Sequence, residues 1–204
     1  MKRLLVLAAV LSFPLLLTAQ QDVRFTQSGE FASLTQFTPP FTSVNLQVSR
    51  GSGTSGSSAF LQYSSVSAPA DFSSLTITNV FGPIPDSTFT GATTHDLVLS
   101  IDTTTLDPTV FTSETCTTDF TTFITTCGPG PAGVIQLEFQ ENGAQRSIVD
   151  LKQTTYSGPV TTHLHQKSDN STANVAGTLF GADVTGVPAN VGVNHQSTLE
   201  ITHD

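Results

Sequence analysis

Residues 44–49, Val44-Asn45-Leu46-Gln47-Val48-Ser49, decide the fold class, because every second side chain is apolar and those between are polar. A period of two puts Val44, Leu46 and Val48 on one face of a strand, whereas a helix would repeat about every 3.6 residues. The same beat returns in Leu97, Leu99 and Ile101, in register with His95, and in Ile135, Leu137 and Phe139.

Outward from these anchors, the pattern predicts strands over 44–49, 59–64, 75–81, 95–102, 135–140, 146–152, 160–167, 172–180 and 198–203, with one or two short ones within 109–126. Residues 21–40 keep a weaker period and read as a leading strand plus an extended arm. Gly82-Pro83 and Gly128-Pro129-Gly130-Pro131 break the chain, Asn142-Gly143 is the dipeptide of a tight hairpin, and Ser168-Asp169-Asn170-Ser171 reads as a link. Nine or ten strands joined by short turns predict a single antiparallel β-sandwich; a closed β-barrel shares the alternation and is the alternative.

Composition agrees. The chain is rich in Thr, Ser, Val, Phe and Gly and poor in Lys, Glu and Met. Side chains branched at the β-carbon are stiff in a helix and fit a pleated surface. The Phe and β-branched content separates this weakly charged chain from disordered ones.

The first twenty residues have the layout of a secretory signal: Lys2 and Arg3, an apolar stretch from Leu4 to Leu17, then Thr18-Ala19-Gln20. The stretch is shorter than the roughly 20 apolar residues that span a bilayer, so cleavage after Ala19 or Gln20 is expected. The expected product is one all-β domain over 21–204, secreted to a periplasmic or extracellular space, with no membrane insertion in its mature form. Loss of the leader removes two of the seven basic residues and none of the 16 acidic ones, so the net charge moves from −9 to −11. Phosphate backbones and anionic lipids are bound through Lys and Arg, so nucleic acid is not an expected partner. The two cysteines, Cys116 and Cys127, are expected to pair in an oxidising compartment and to close a Thr-rich loop.

Two stretches, Val44-Asn45-Leu46-Gln47-Val48-Ser49-Arg50-Gly51 and Gly82-Pro83-Ile84-Pro85-Asp86-Ser87-Thr88-Phe89-Thr90-Gly91, resemble an uncharacterised group of exported bacterial β-proteins with a Gly-Xaa-Ile-Pro element between strands. The resemblance covers about half of the mature chain. It implies export and a β-fold, and transfers no activity or site.

Few residues point to chemistry. Gly51-Ser52-Gly53-Thr54-Ser55-Gly56 matches G-x-G-x-x-G, but a dinucleotide needs a helix N-terminus after it, and Ala59-Phe60-Leu61-Gln62-Tyr63 reads as a strand. His163 and His165 share a strand face, about 7 Å apart at the α-carbon, and are the candidate metal ligands, with His195 or His203 to complete a set. Lys167 on the same face opposes a cation, so a solvated strand face is the plainer reading and no cofactor is assigned. His95 reads as a structural residue at the core edge, and Asp183 with Asn190 as an ordinary Gly-rich loop rather than a calcium site. No Gly-x-Ser-x-Gly elbow and no assignable carboxylate pair is present.

The expected role is that of a secreted non-enzymatic β-domain, surface-binding or structural, in the cell envelope or extracellular space, with a polar polymer such as a glycan or a protein at the cell surface as its partner. Two alternatives stand beside it: a barrel carrying a small apolar ligand between Phe60, Phe81, Phe139 and Phe180, and a metal-dependent enzyme using His163 and His165.

Overall fold

The computed structural model describes residues 22–39, 41–53, 56–91 and 96–202. The expected leader, His95 and His203 lie outside the described residues. The elements in chain order are β1 (Asp22–Thr38), β2 (Thr42–Gly53), β3 (Gly56–Ser67), β4 (Ser74–Ile84), β5 (Phe89–Gly91), β6 (Leu97–Asp102), β7 (Thr112–Asp119), β8 (Ile124–Pro129), β9 (Val134–Ser157), β10 (Val160–Leu179), β11 (Ala182–Asp183) and β12 (Pro188–Thr202). Among the described residues helix is confined to two short 3-10 turns at Asp86–Thr88 and Thr103–Thr105, and none is long and apolar enough to cross a membrane.

All twelve strands join one antiparallel sheet along the path β5-β6-β9-β10-β12-β1-β2-β3-β4-β7-β8, with β11 paired to β10 beside it. The path has two ends, so the sheet is open and sandwich-like and the barrel alternative does not form. One end folds over the middle: the Arg50 guanidinium on β2 donates to the carbonyl of Phe89 on β5 over 3.0 Å, and Tyr63 meets Phe180 edge-on at 5.4 Å. Between these layers sits one apolar cluster. It holds Leu97, Leu99, Ile135, Leu137 and Phe139 on one side and Ala32, Leu34, Leu46, Val48, Leu61 and Val80 on the other.

The alternation in 44–49 and 135–139 thus faces the core as expected, but Gly82-Pro83 does not break the chain, since β4 runs through it to Ile84, and two joins differ. Asn142-Gly143 is not a hairpin turn, for β9 runs through it to Ser157. Arg146 pairs with Ser171 and Glu141 with Ala173, so Asn142, Gly143, Ala144 and Gln145 bulge out opposite Thr172 alone. Gly143 supplies the left-handed backbone (φ 66°) that such a bulge uses. The true hairpin is at Gly158-Pro159, where Ser157 pairs with Val160 and Gly158 has φ 58°.

Ser168-Asp169-Asn170-Ser171 is likewise no link but the middle of β10. Its polar side chains read as a turn, yet they are satisfied inside the sheet: Arg146 donates to both oxygens of the buried Asp169, at 2.9 and 2.7 Å. On the opposite face a side chain at Gly192 would collide with the Phe31 ring and the Asn170 amide, which cross the sheet there.

The disulfide Cys116–Cys127 forms as expected, between directly opposed residues of β7 and β8. Five turns share one device. Asp71, Asp102, Asp107, Asp119 and Asp183 each accept from the backbone N–H two residues on, at Ser73, Thr104, Thr109, Thr121 and Thr185.

Candidate functional site: a cationic sheet face

Past the bulge, β9 has no facing layer, and the core-side face of β9, β10, β12 and β1 continues into solvent as a polar surface. Strand register fixes what lies there. Arg24, Leu199, His163 and Thr154 form one cross-strand row; Thr26, Ser197, His165 and Lys152 form the next; Ser28, His195, Lys167 and Asp150 form the third. Rows along a strand lie about 7 Å apart and neighbouring strands about 4.8 Å, so the patch measures about 14 by 14 Å. A groove of about 630 Å³ runs over it, lined by Arg24, Lys152, His163, His165 and His195 among others.

The structure therefore brings His163, His165 and His195 onto one face, but the first two have separate partners. His163 Nδ1 lies 3.1 Å from the Thr154 hydroxyl and His165 Nε2 lies 2.9 Å from Asp150 Oδ1. Among the described residues, the one group of three His, Cys, Asp or Glu side chains with ligand atoms within 4.8 Å of one another is Glu114, Cys116 and Cys127. Its two sulfurs are bonded to each other.

The charge on this face is what sequence reading missed. Arg24 and Lys152 come from segments far apart in the chain, and only the pairing of β1 with β12 and of β9 with β10 sets them beside Lys167 and the histidines. Ion pairs among the described residues engage Arg50 with Glu30 and Arg146 with Glu141 and Asp169, while the Asp150 carboxylate on the patch shares a hydrogen bond with His165. Arg24, Lys152 and Lys167 form none of them. The row that closes the patch is the one carrying Glu30 and Asp169, and both carboxylates there are already neutralised by Arg50 and Arg146. The Asp169 carboxylate, by hydrogen bond and by charge, raises the pKa of Arg146.

The remaining candidates lie elsewhere. Gly53 pairs with Gly56 and β3 follows, so the glycine-rich stretch is a hairpin with no helix end to hold a phosphate. Asp183 caps its own turn through Thr185, and Asn190 stands in β12 opposite Ser33 and Thr172. Of the four phenylalanines named for an apolar cavity, only Phe139 is fully buried and Phe180 packs at the core edge. Phe60 and Phe81 point outward, 43% and 44% exposed, so the four do not line a common interior. Comparison with protein-family models, with curated proteins and with solved structures finds no match.

Proposed function

We propose that the chain is an exported, non-enzymatic binding module whose cationic face holds an acidic polysaccharide. The observation that carries this reading is the gathering of Arg24, Lys152, Lys167 and three histidines on one sheet face of a chain whose net charge is −9. Screening confines charge effects to about 8 Å at physiological salt, so the local patch outweighs the distant acidic groups once a ligand is seated. Thr26, Thr154 and Ser197 lie between the cations and offer hydrogen bonds to sugar hydroxyls. No Phe, Tyr or Trp lines the groove to stack a nucleobase, which favours a saccharide over a single-stranded nucleic acid. The disulfide accords with an oxidising, exported setting.

The test is binding of polygalacturonate to the mature protein, with neutral dextran as control. Polygalacturonate should bind and lose affinity steeply between about 50 and about 200 mM salt. Arg24→Gln and Lys167→Gln should each weaken it several-fold. Equal binding of dextran, or indifference to both substitutions, would refute the reading.

A further inference from the structure

From Arg146 to Ser157, β9 pairs with β10 on one side only, because β6 reaches no further along it than Phe139. The other side is a row of backbone N–H and C=O groups without a strand partner among the described residues. Ile148, Val149, Leu151 and Tyr156 stand exposed along it. Long edges of this kind are normally blunted by proline, by several lysines or by a covering loop. This one carries a single lysine and no proline.

Its charges point to what covers it. We infer that β9 pairs antiparallel with β9 of a second copy of the chain, Leu151 opposite Leu151, joining two sheets into one. In that register Asp150 faces Lys152 of the second copy and Lys152 faces Asp150 of the second copy, so the charge pair occurs twice. Val149 then lies opposite Gln153, Ile148 opposite Thr154, and the Arg146 guanidinium meets the Tyr156 ring.

Neighbouring registers are rejected by the same residues. A slip of one residue sets Leu151 against Asp150 or Lys152. The next slip either way opposes Asp150 to Asp150 or Lys152 to Lys152, and like charges directly opposite are destabilising. Asp150 is half exposed and only its Oδ1 is engaged, by His165, so Oδ2 is available to the second copy. The contact uses the same segment on both copies and closes as a two-fold dimer rather than growing into a fibre. Opposed side chains share a face, so the cationic patches of the two copies adjoin. The dimer itself does not depend on what that face binds.

Sedimentation of the mature, disulfide-intact protein tests this. The native chain should sediment as a dimer, Asp150→Lys and Lys152→Asp should each weaken association more than about tenfold, and the double exchange D150K/K152D should restore it. Circular dichroism confirms that each variant is folded. Leu151→Cys supplies a second readout. Because this position alone faces itself, it should form an intermolecular disulfide under mild oxidation, whereas Val149→Cys should not. A native chain that stays single at about 1 mM overturns the inference. So does a folded double exchange that remains single, or equal cross-linking through positions 149 and 151.

Discussion

The hydroxyl of Thr172 donates to Oδ1 of Asn142 across 2.6 Å, and through this contact one residue of β10 holds a bulge of β9. The same hydroxyl accepts from the Gln145 N–H, and Asn142 Oδ1 also accepts from the Ala144 N–H. Four residues opposite one also reverse the facing of β9. Ile135, Leu137 and Phe139 turn odd-numbered side chains to the core, whereas past Arg146 the even-numbered Asp150, Lys152 and Thr154 take that face. The bulge is thus what puts Lys152 on the cationic patch.

Thr172→Val should destabilise by about 1 kcal/mol, the net worth of a hydrogen bond. Gly143→Ala should cost a similar amount, about 1–2 kcal/mol, through its left-handed backbone alone, since a β-carbon there would meet nothing within 4 Å. Urea denaturation of both variants measures this. If the bulge is as described, the pair made together should also weaken polygalacturonate binding.

Phe139→Ala should cost about 3–5 kcal/mol, because the ring is completely buried between the two layers. Phe60→Ala, on the outer face, should cost well under half as much. Equal losses at the two positions would mean that the inward and outward faces are misassigned.

Replacing Cys116 and Cys127 by serine should lower stability by up to about 3 kcal/mol, the chain-entropy value for a loop this short. The pair lies on the exposed β7–β8 hairpin at one end of the sheet path. Local opening there, seen as loss of amide protection in 112–129, should exceed any change in β1, β2 or β12.

Acid should destabilise the fold through the aspartate turns. The hydroxyls of Thr104, Thr109 and Thr185, followed by the backbone N–H groups of the same residues, hold the carboxyls of Asp102, Asp107 and Asp183 below their ordinary pKa. The backbone N–H of Ser73 does the same for Asp71, and those of Thr122 and Thr121 for Asp119. A carboxyl whose folded pKa is depressed contributes stability above its unfolded value, and that stability is lost as pH falls through the folded one. The contribution of these turns to the urea midpoint should therefore be constant at neutral pH and decline below about pH 4. Asp107→Asn keeps an oxygen acceptor and should reduce the slope of that decline.

Strand alternation in the core was legible residue by residue, because Leu46, Val48, Leu137 and Phe139 each sit between polar neighbours and each is buried. The disulfide was legible from the number of cysteines and the compartment expected from the first twenty residues. What escaped was register. Asn142-Gly143 carries the chemistry of a turn whether the chain reverses there or only bulges, and Thr172, which decides between the two, lies far along the sequence. Asp169 looks like a turn residue until Arg146 is placed across from it. The cationic face has no local signature at all, since Arg24, Lys152 and Lys167 belong to three strands and become neighbours only through β12 and β10.

The central claim is tested most directly by following backbone amide chemical shifts of the mature protein during titration with a short oligogalacturonate. The account predicts changes confined to residues 24–28, 150–154, 163–167 and 195–199. Changes centred instead on the outer face around Phe60 and Phe81, or none at saturating oligosaccharide, would contradict it.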